Sequence, residues 1–345
     1  MAYTTIKKPS DYFNTKLWTG NGSTQSITGV GFQPDFTWVK GRSEPEHHTI
    51  NDSVRGANKQ LYSHLTYGES TDTDRLQSFD SDGFTLGTDV VVNKSSQTFA
   101  SWNWLAANGT ASNTDGSITS TVSANTTSGF SIVSYTGTGS NATVGHGLGS
   151  APTMIIVKNI NSTNDWNIGH SAIGWDKRLF FNTNAESSGA SWNSTAPTSS
   201  VFSIGTAGAT NTSSNTHVAY CFAEKKGFSK FGSYVGNNNA DGNFVYLGFK
   251  PAFVIAKNST QGGYSWELFD NKRNTTDGVG NVIQKRLFPD SSAAEGGTSS
   301  TDYIDFLSNG FKIRKAGDTN ASGDTYIYMA FAEEPLVGDN PATAR

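Results

Sequence analysis

The residues able to do chemistry are few, and they do not gather into a known pattern. Glu46-His47-His48 sets a carboxylate beside two imidazoles. Neighbouring side chains on a strand point to opposite faces, whereas zinc wants two histidines one helical turn apart. Asn237-x-Asn239-x-Asp241-Gly242 opens like a calcium loop, but Asn replaces the first Asp and Gly248 stands where a bidentate Glu should close it. Glycoside hydrolysis takes two carboxylates across one bond. Glu224, Glu333 and Glu334 each follow a closing apolar strand, and Ala106 stands at the matching place upstream, so solvent-facing strand ends are the plainer reading. Asp52-x-x-Arg55 and Asp270-x-x-Arg273 read as ion pairs pinning a loop, with His170 near the matching place between them; exposed pairs of this kind add little stability. There is no Gly-x-Ser-x-Gly elbow and no Gly-Lys-Ser/Thr phosphate loop. The expectation is no catalytic residue, no metal ligand and no cofactor.

Aromatic side chains in polar loops are the better candidates for contact with a ligand. Trp175 and Trp192 stand among Gly, Ser and Asn; Tyr264 and Trp266 follow Gly262-Gly263; Trp166 has the corresponding place upstream. Such rings can stack on sugars or fill a partner's pocket. The competing reading folds each ring back onto its own domain, and it is stronger for Trp166 and Trp266, which precede matching strand-like runs.

The elements that must position these residues recur along the chain. Gly31-Phe32-Gln33-Pro34, followed by an apolar run to Lys40, returns as Gly149 to Lys158 and as Gly248 to Lys257. Upstream lies an aromatic-x-Gly (Trp18, Tyr135, Tyr234), and downstream a Lys-x-Leu-aromatic (Lys59, Lys177, Lys285). Each copy closes on an apolar strand: Phe99 to Trp104, Val218 to Phe222, Ile327 to Phe331. Ordered self-similarity of this kind is the mark of tandem duplication. The blocks are short, rich in Val, Ile, Phe, Tyr and Trp, and bounded by Gly, Pro, Asn or Ser, which is the strand signal. The run after each Pro is apolar almost throughout, placing it mid-sheet with both faces covered. The Pro opens that strand, where a missing N–H does least harm.

The expected fold is all-β: three tandem β-sandwich-like repeats of about a hundred residues each. The boundaries are an N-terminal arm over 1–10, repeats over 11–106, 130–227 and 228–336, a polar Gly/Ser/Thr/Asn linker or surface hairpin over 107–129, and a tail over 337–345. The first repeat stands apart and the other two abut. Stacked in line, they would form a stiff rod, with the arm free to dock.

Composition bounds the partners. Charged residues make up 16% and the net charge is -4, which argues against nucleic acid. The single cysteine, Cys221, excludes an intrachain disulfide and reads as a small residue in a packed strand. Met1 to Ser10 carries no apolar secretory core, so the Asn-x-Ser/Thr triplets are not read as glycan sites. No stretch approaches the ~18 apolar residues of a membrane-spanning helix.

Several motifs resemble one family. Asp52-Ser53-Val54-Arg55-Gly56 and Ser81-Asp82-Gly83-Phe84-Thr85-Leu86-Gly87-Thr88 are similar to a domain recurrent in marine tailed-phage genomes. So are Ser131 to Gly139, Val144 to Gly149, Phe228 to Tyr234, Asp270 to Arg273 and the opening Met1-Ala2-Tyr3-Thr4-Thr5-Ile6. The resemblance covers nearly the whole chain. It implies a β-rich virion component, of the kind found in tail-fibre proteins, and carries over no site residues. The expected function is a host-attachment appendage assembled in the host cytoplasm. Its partners would be other virion proteins, further copies of itself (a trimer being common for fibres), and a host surface glycan or outer-membrane receptor. A capsid decoration or head fibre without a receptor site is the second expectation, and an enzyme that trims surface polysaccharide the third.

Overall fold

Each Gly-x-x-Pro block delivers its apolar run into the middle of a sheet. Strands Phe36–Gly41 and Met154–Asn159 are buried at every position, and Phe249–Asn258 at every position but Lys250. In this computed structural model each of the three is bonded on one side to the closing strand of its segment and on the other to the next strand in sequence. The structure describes residues 4–181, 187–188, 191–273, 281–297, 303–338 and 341–342.

The protein is all-β, and one strand order appears in all three segments. The first runs Phe13–Thr19, Thr98–Trp104, Phe36–Gly41, His48–Asp52, Gly56–Leu61. The second runs Phe130–Thr136, Thr216–Phe222, Met154–Asn159, Asn167–His170, Gly174–Phe180. The third runs Ser229–Val235, Thr325–Pro335, Phe249–Asn258, Glu267–Asp270. Each large sheet carries a smaller antiparallel one across an apolar layer of its own, built on Phe84 and Phe99, on Phe202 and Val133, and on Phe311 and Tyr326. Two sheets closing on one such layer make a sandwich.

The other face of each large sheet is also apolar, and all three faces meet in a common core. Phe13, Trp38, Trp102 and Trp104 of the first segment pack there with Phe130, Trp166, Tyr220 and Phe222 of the second and Phe253, Trp266, Met329 and Phe331 of the third. The stacked Phe13 and Phe331 rings, 5.2 Å apart, join the first strand to the last. At the centre lies a void of only about 10 Å³, walled by all three segments, so the core is close-packed. The expected line of separate sandwiches, with the first detached, is therefore corrected: a continuously apolar strand shows that both faces are covered, not what covers the second.

Two further expectations change and one is decided. Of the two readings of the 107–129 segment the hairpin holds: Ala111–Asn113 and Ser120–Asn125 pair and extend the second sheet beside Phe130–Thr136. Polar side chains suit it, since it lies at the sheet edge. The arm is not free from residue 4 onward: Thr4 is buried and Ile6 enters the shared core. Pro34 and Pro152 precede their strands as expected, but Pro251 lies inside one, at a bulge where the ladder register shifts and no N–H is required. Beyond the strands, two four-residue helices, Val90–Asn93 and Gly208–Asn211, bring Asn93 and Asn211 into the sandwich ends. There their amide groups donate to the Gly87 and Gly205 carbonyls, both at 2.7 Å.

Candidate functional site

The sheets hold a set of buried polar groups at equal register positions. Asp52, His170 and Asp270 face Phe36, Met154 and Phe253 respectively across matching strand pairs. Tyr220 donates its hydroxyl to Asp52 Oδ2 at 2.7 Å, from second segment to first. Trp102 Nε1 donates to Asp270 Oδ2 at 3.0 Å, from first to third. His170 Nε2 lies 3.3 Å from the Tyr328 carbonyl, joining third and second. The ring of contacts therefore closes on itself. Asp52 and Asp270 also hold Arg55 and Arg273, each by an Nε–Oδ2 contact of 2.5 Å. These pairs are buried, with side-chain exposures of 0–3%, which corrects their reading as surface pairs.

Two of the tryptophans expected to meet a ligand, Trp166 and Trp266, take part in the same ring. Trp166 and Trp266 are 0% and 1% exposed. Trp166 Nε1 donates to the Tyr62 carbonyl at 2.8 Å and Trp266 Nε1 to the Phe180 carbonyl at 2.7 Å, each crossing to the preceding segment. His48 holds the matching place in the first segment and faces the Phe288 backbone, without a hydrogen bond of ordinary geometry at Nε2. Trp192 is also 0% exposed, in the second segment's own apolar layer. Trp175 is half-buried and meets Trp192 edge to face at 5.8 Å. The two leave no room above Gly169, where a Cβ would come within 2.5 Å of Trp175. Trp166, Trp192 and Trp266 are thus corrected from ligand contacts to packing residues.

Lys40, Lys158 and Lys257 are fully buried. Lys40 Nζ bonds the Gly41 and Ser292 carbonyls at 2.7 and 3.2 Å, Lys158 Nζ those of Thr66 and Asn164 at 2.9 and 2.7 Å, and Lys257 Nζ that of Tyr264 at 2.6 Å. Burial holds each ammonium down to about 8. A half-buried pair is formed by His47 and His64, whose Nδ1 and Nε2 lie 2.9 Å apart. The remaining chemistry of the sequence is spent internally. Asn237 and Asn239 each accept a backbone N–H two residues on. Glu333 pairs with Lys250 at 2.8 Å, and Glu224 accepts the Phe231 N–H at 3.4 Å. Cys221 is buried, and burial pushes its thiol far up.

Tyr264 lines an open pocket of about 160 Å³ walled by Gly263, Tyr264, Ser265, Glu267, Arg286, Phe288 and Asp318. Strand Glu267–Asp270 supplies Glu267, 4% exposed. Arg286 NH1 donates to Glu267 Oε1 at 2.6 Å and to Asp318 Oδ2 at 2.9 Å. Its guanidinium carbon lies 5.0 Å from the Phe288 ring centre and 4.4 Å from that of Tyr303. Glu267 Oε2 and Arg286 Nε are buried and have no hydrogen-bond partner among the described residues. Burial raises the Glu267 carboxyl to about 7, against the pull of Arg286. Asp318 moves the other way: burial opposes its charge, but Lys315 and Arg286 outweigh that. Glu267 went unnoticed in the sequence, although a charge at a place where the other segments carry Thr49 and Asn167 was a readable signal.

Residues 8–335 match the model of a domain of unknown function, DUF7483, and the chain belongs to that family. No curated protein and no solved structure matches it.

Proposed function

We propose that this DUF7483 chain is a structural component of a bacteriophage virion, and within it a host-attachment appendage that binds the cell surface without chemistry. The observation that carries the attachment reading is the closed ring: three sandwiches locked through one core form a stiff base for the loops that join their strands. Binding residues on loops held by a rigid scaffold are the usual arrangement for recognition. The phage assignment is supported by the motif resemblance at Asp52 to Gly56 and Ser81 to Thr88.

Quantitative mass spectrometry of gradient-purified virions tests it. A dozen or two copies per particle support a tail appendage; hundreds support a capsid decoration or head fibre instead. Absence from particles would end the virion reading. Light scattering on the purified chain reads its assembly: three chain masses support a homotrimer, and one removes it while leaving attachment intact.

A further inference from the structure

The pocket beside Tyr264 has three properties that together select a ligand. The first is size. At about 160 Å³ it is well below the ~300–1,000 Å³ of sites for drug-sized molecules, so one ring fills it. The second is charge balance. Two carboxylates, Glu267 and Asp318, face two cations: Arg286 bridges both, and Lys315 donates to Asp318. With charge matched locally, neither an anion nor a cation is drawn in. The third is a rigid polar frame. The guanidinium is fixed between the Phe288 and Tyr303 rings, and Glu267 Oε2 and Arg286 Nε, both sealed from water, find no partner among the described residues.

The fold does not require this arrangement. At the place of Glu267 the second segment has Asn167, and there Arg178 donates to Ser191 Oγ and Ser191 to Asn167 Oδ1, both at 2.8 Å. There an amide and a hydroxyl meet the arginine where the third segment offers a carboxylate. Burying a carboxylate costs more than burying an amide, so the Glu267 version calls for a use.

We propose that this pocket binds one neutral pyranose ring of a glycan, with the face of Tyr264 against the C–H side of the sugar and Glu267, Arg286 and Asp318 taking its hydroxyls. Hydroxyls both donate and accept, which suits a carboxylate–guanidinium–carboxylate array, and an aromatic face suits the apolar side of the ring. The site binds and does not cleave. A scissile glycosidic bond has to lie between the two carboxylates, and here the Arg286 guanidinium, bonded to both, occupies that space. The proposal rests on the attachment reading only for the origin of the glycan.

Saturation-transfer NMR on the full chain with a panel of neutral methyl pyranosides, and with tetramethylammonium as a cation probe, tests it. The expected result is binding of at least one pyranoside, weakened about 10-fold or more by Tyr264→Ala and by Glu267→Gln, and unchanged by Tyr67→Ala, which alters an exposed ring elsewhere. Tyr264→Ala changes a loop side chain and leaves the backbone carbonyl that holds Lys257, so loss of binding with an unchanged melting transition separates recognition from folding. Binding of no pyranoside, binding indifferent to both substitutions, or binding of the ammonium alone overturns the proposal. Release of free sugar from a glycan by the wild-type chain overturns its non-cleaving part. Sugar binding by a chain missing from virions would sink the attachment reading and leave the pocket standing; the reverse would sink the pocket alone.

Discussion

Replacing Arg273 by Met should cost far more than its sequence context suggests. Arg273 and Asp270 are both 0% exposed at the side chain, so water screens neither. Arg273 Nε reaches Asp270 Oδ2 at 2.5 Å, NH1 reaches Glu295 Oε2 at 3.0 Å, and NH2 donates to the Leu268 carbonyl at 3.0 Å. The substitution strands a buried carboxylate, and removing one partner of a buried pair costs about 3–5 kcal/mol. That is a fifth or more of the ~5–15 kcal/mol that holds a typical domain. Removing both charges often restores stability elsewhere, but it should fail here. Asp270 also accepts the Lys272 and Arg273 backbone N–H groups and the Trp102 indole N–H. An Arg273→Met, Asp270→Leu double variant would leave those three donors without an acceptor, each at about 1–3 kcal/mol. Urea unfolding followed by tryptophan fluorescence is the assay. Lys312→Met, which breaks a pair with the exposed Asp241, is the control and should not move the midpoint. An Arg273→Met loss under about 1 kcal/mol, or recovery in the double variant, would refute the reasoning.

Trp166→Ala and Trp266→Ala should each lower stability by about 3–5 kcal/mol, whereas Tyr264→Ala should leave the same urea transition in place. Burial holds His170 down to about 4, while a free imidazole titrates near 6.5. Its folded form thus favours the neutral ring, so this stabilisation is complete above pH 6.5 and fades as pH falls towards 4. Across that window His170→Asn should flatten the pH dependence of the urea midpoint by roughly 3 kcal/mol, and an unchanged slope would count against the assignment. Cys221 should react with a thiol reagent only as the protein unfolds, since both its burial and its raised pKa suppress the thiolate; rapid labelling of native protein would contradict this.

The central strands were legible in the sequence because a Gly-x-x-Pro entry and an unbroken apolar run leave few alternatives. Their gathering about one core was not, since residue type records that a face is covered and not by what. Lys40, Lys158 and Lys257 show the limit most plainly. Lysine ordinarily means surface, and only its fixed place at the end of each apolar run hinted that it was spent on interior carbonyls. The Asp–Arg pairs failed for the same reason: i, i+3 spacing describes a turn equally well in water or beneath another sheet. Tyr264 was legible as a ring in a glycine-rich loop. Its pocket needed Arg286 and Asp318, which only the fold brings to Glu267.

Closing the ring brings the two ends of the fold together, as Gly338 shows: a side chain there would run into the Lys7 carbonyl. In space the three sandwiches have no first or last member, but on the ribosome they do. Phe13 is translated more than three hundred residues before Phe331, the ring it finally stacks on. At ~5–20 residues per second that interval is roughly 15–60 s. Once its own closing strand, Thr98–Trp104, has been made, the aromatic face of the first sandwich waits for the strand that seals it. The nascent chain, rather than the finished protein, is then the species most exposed to aggregation, and chaperones would act on it there.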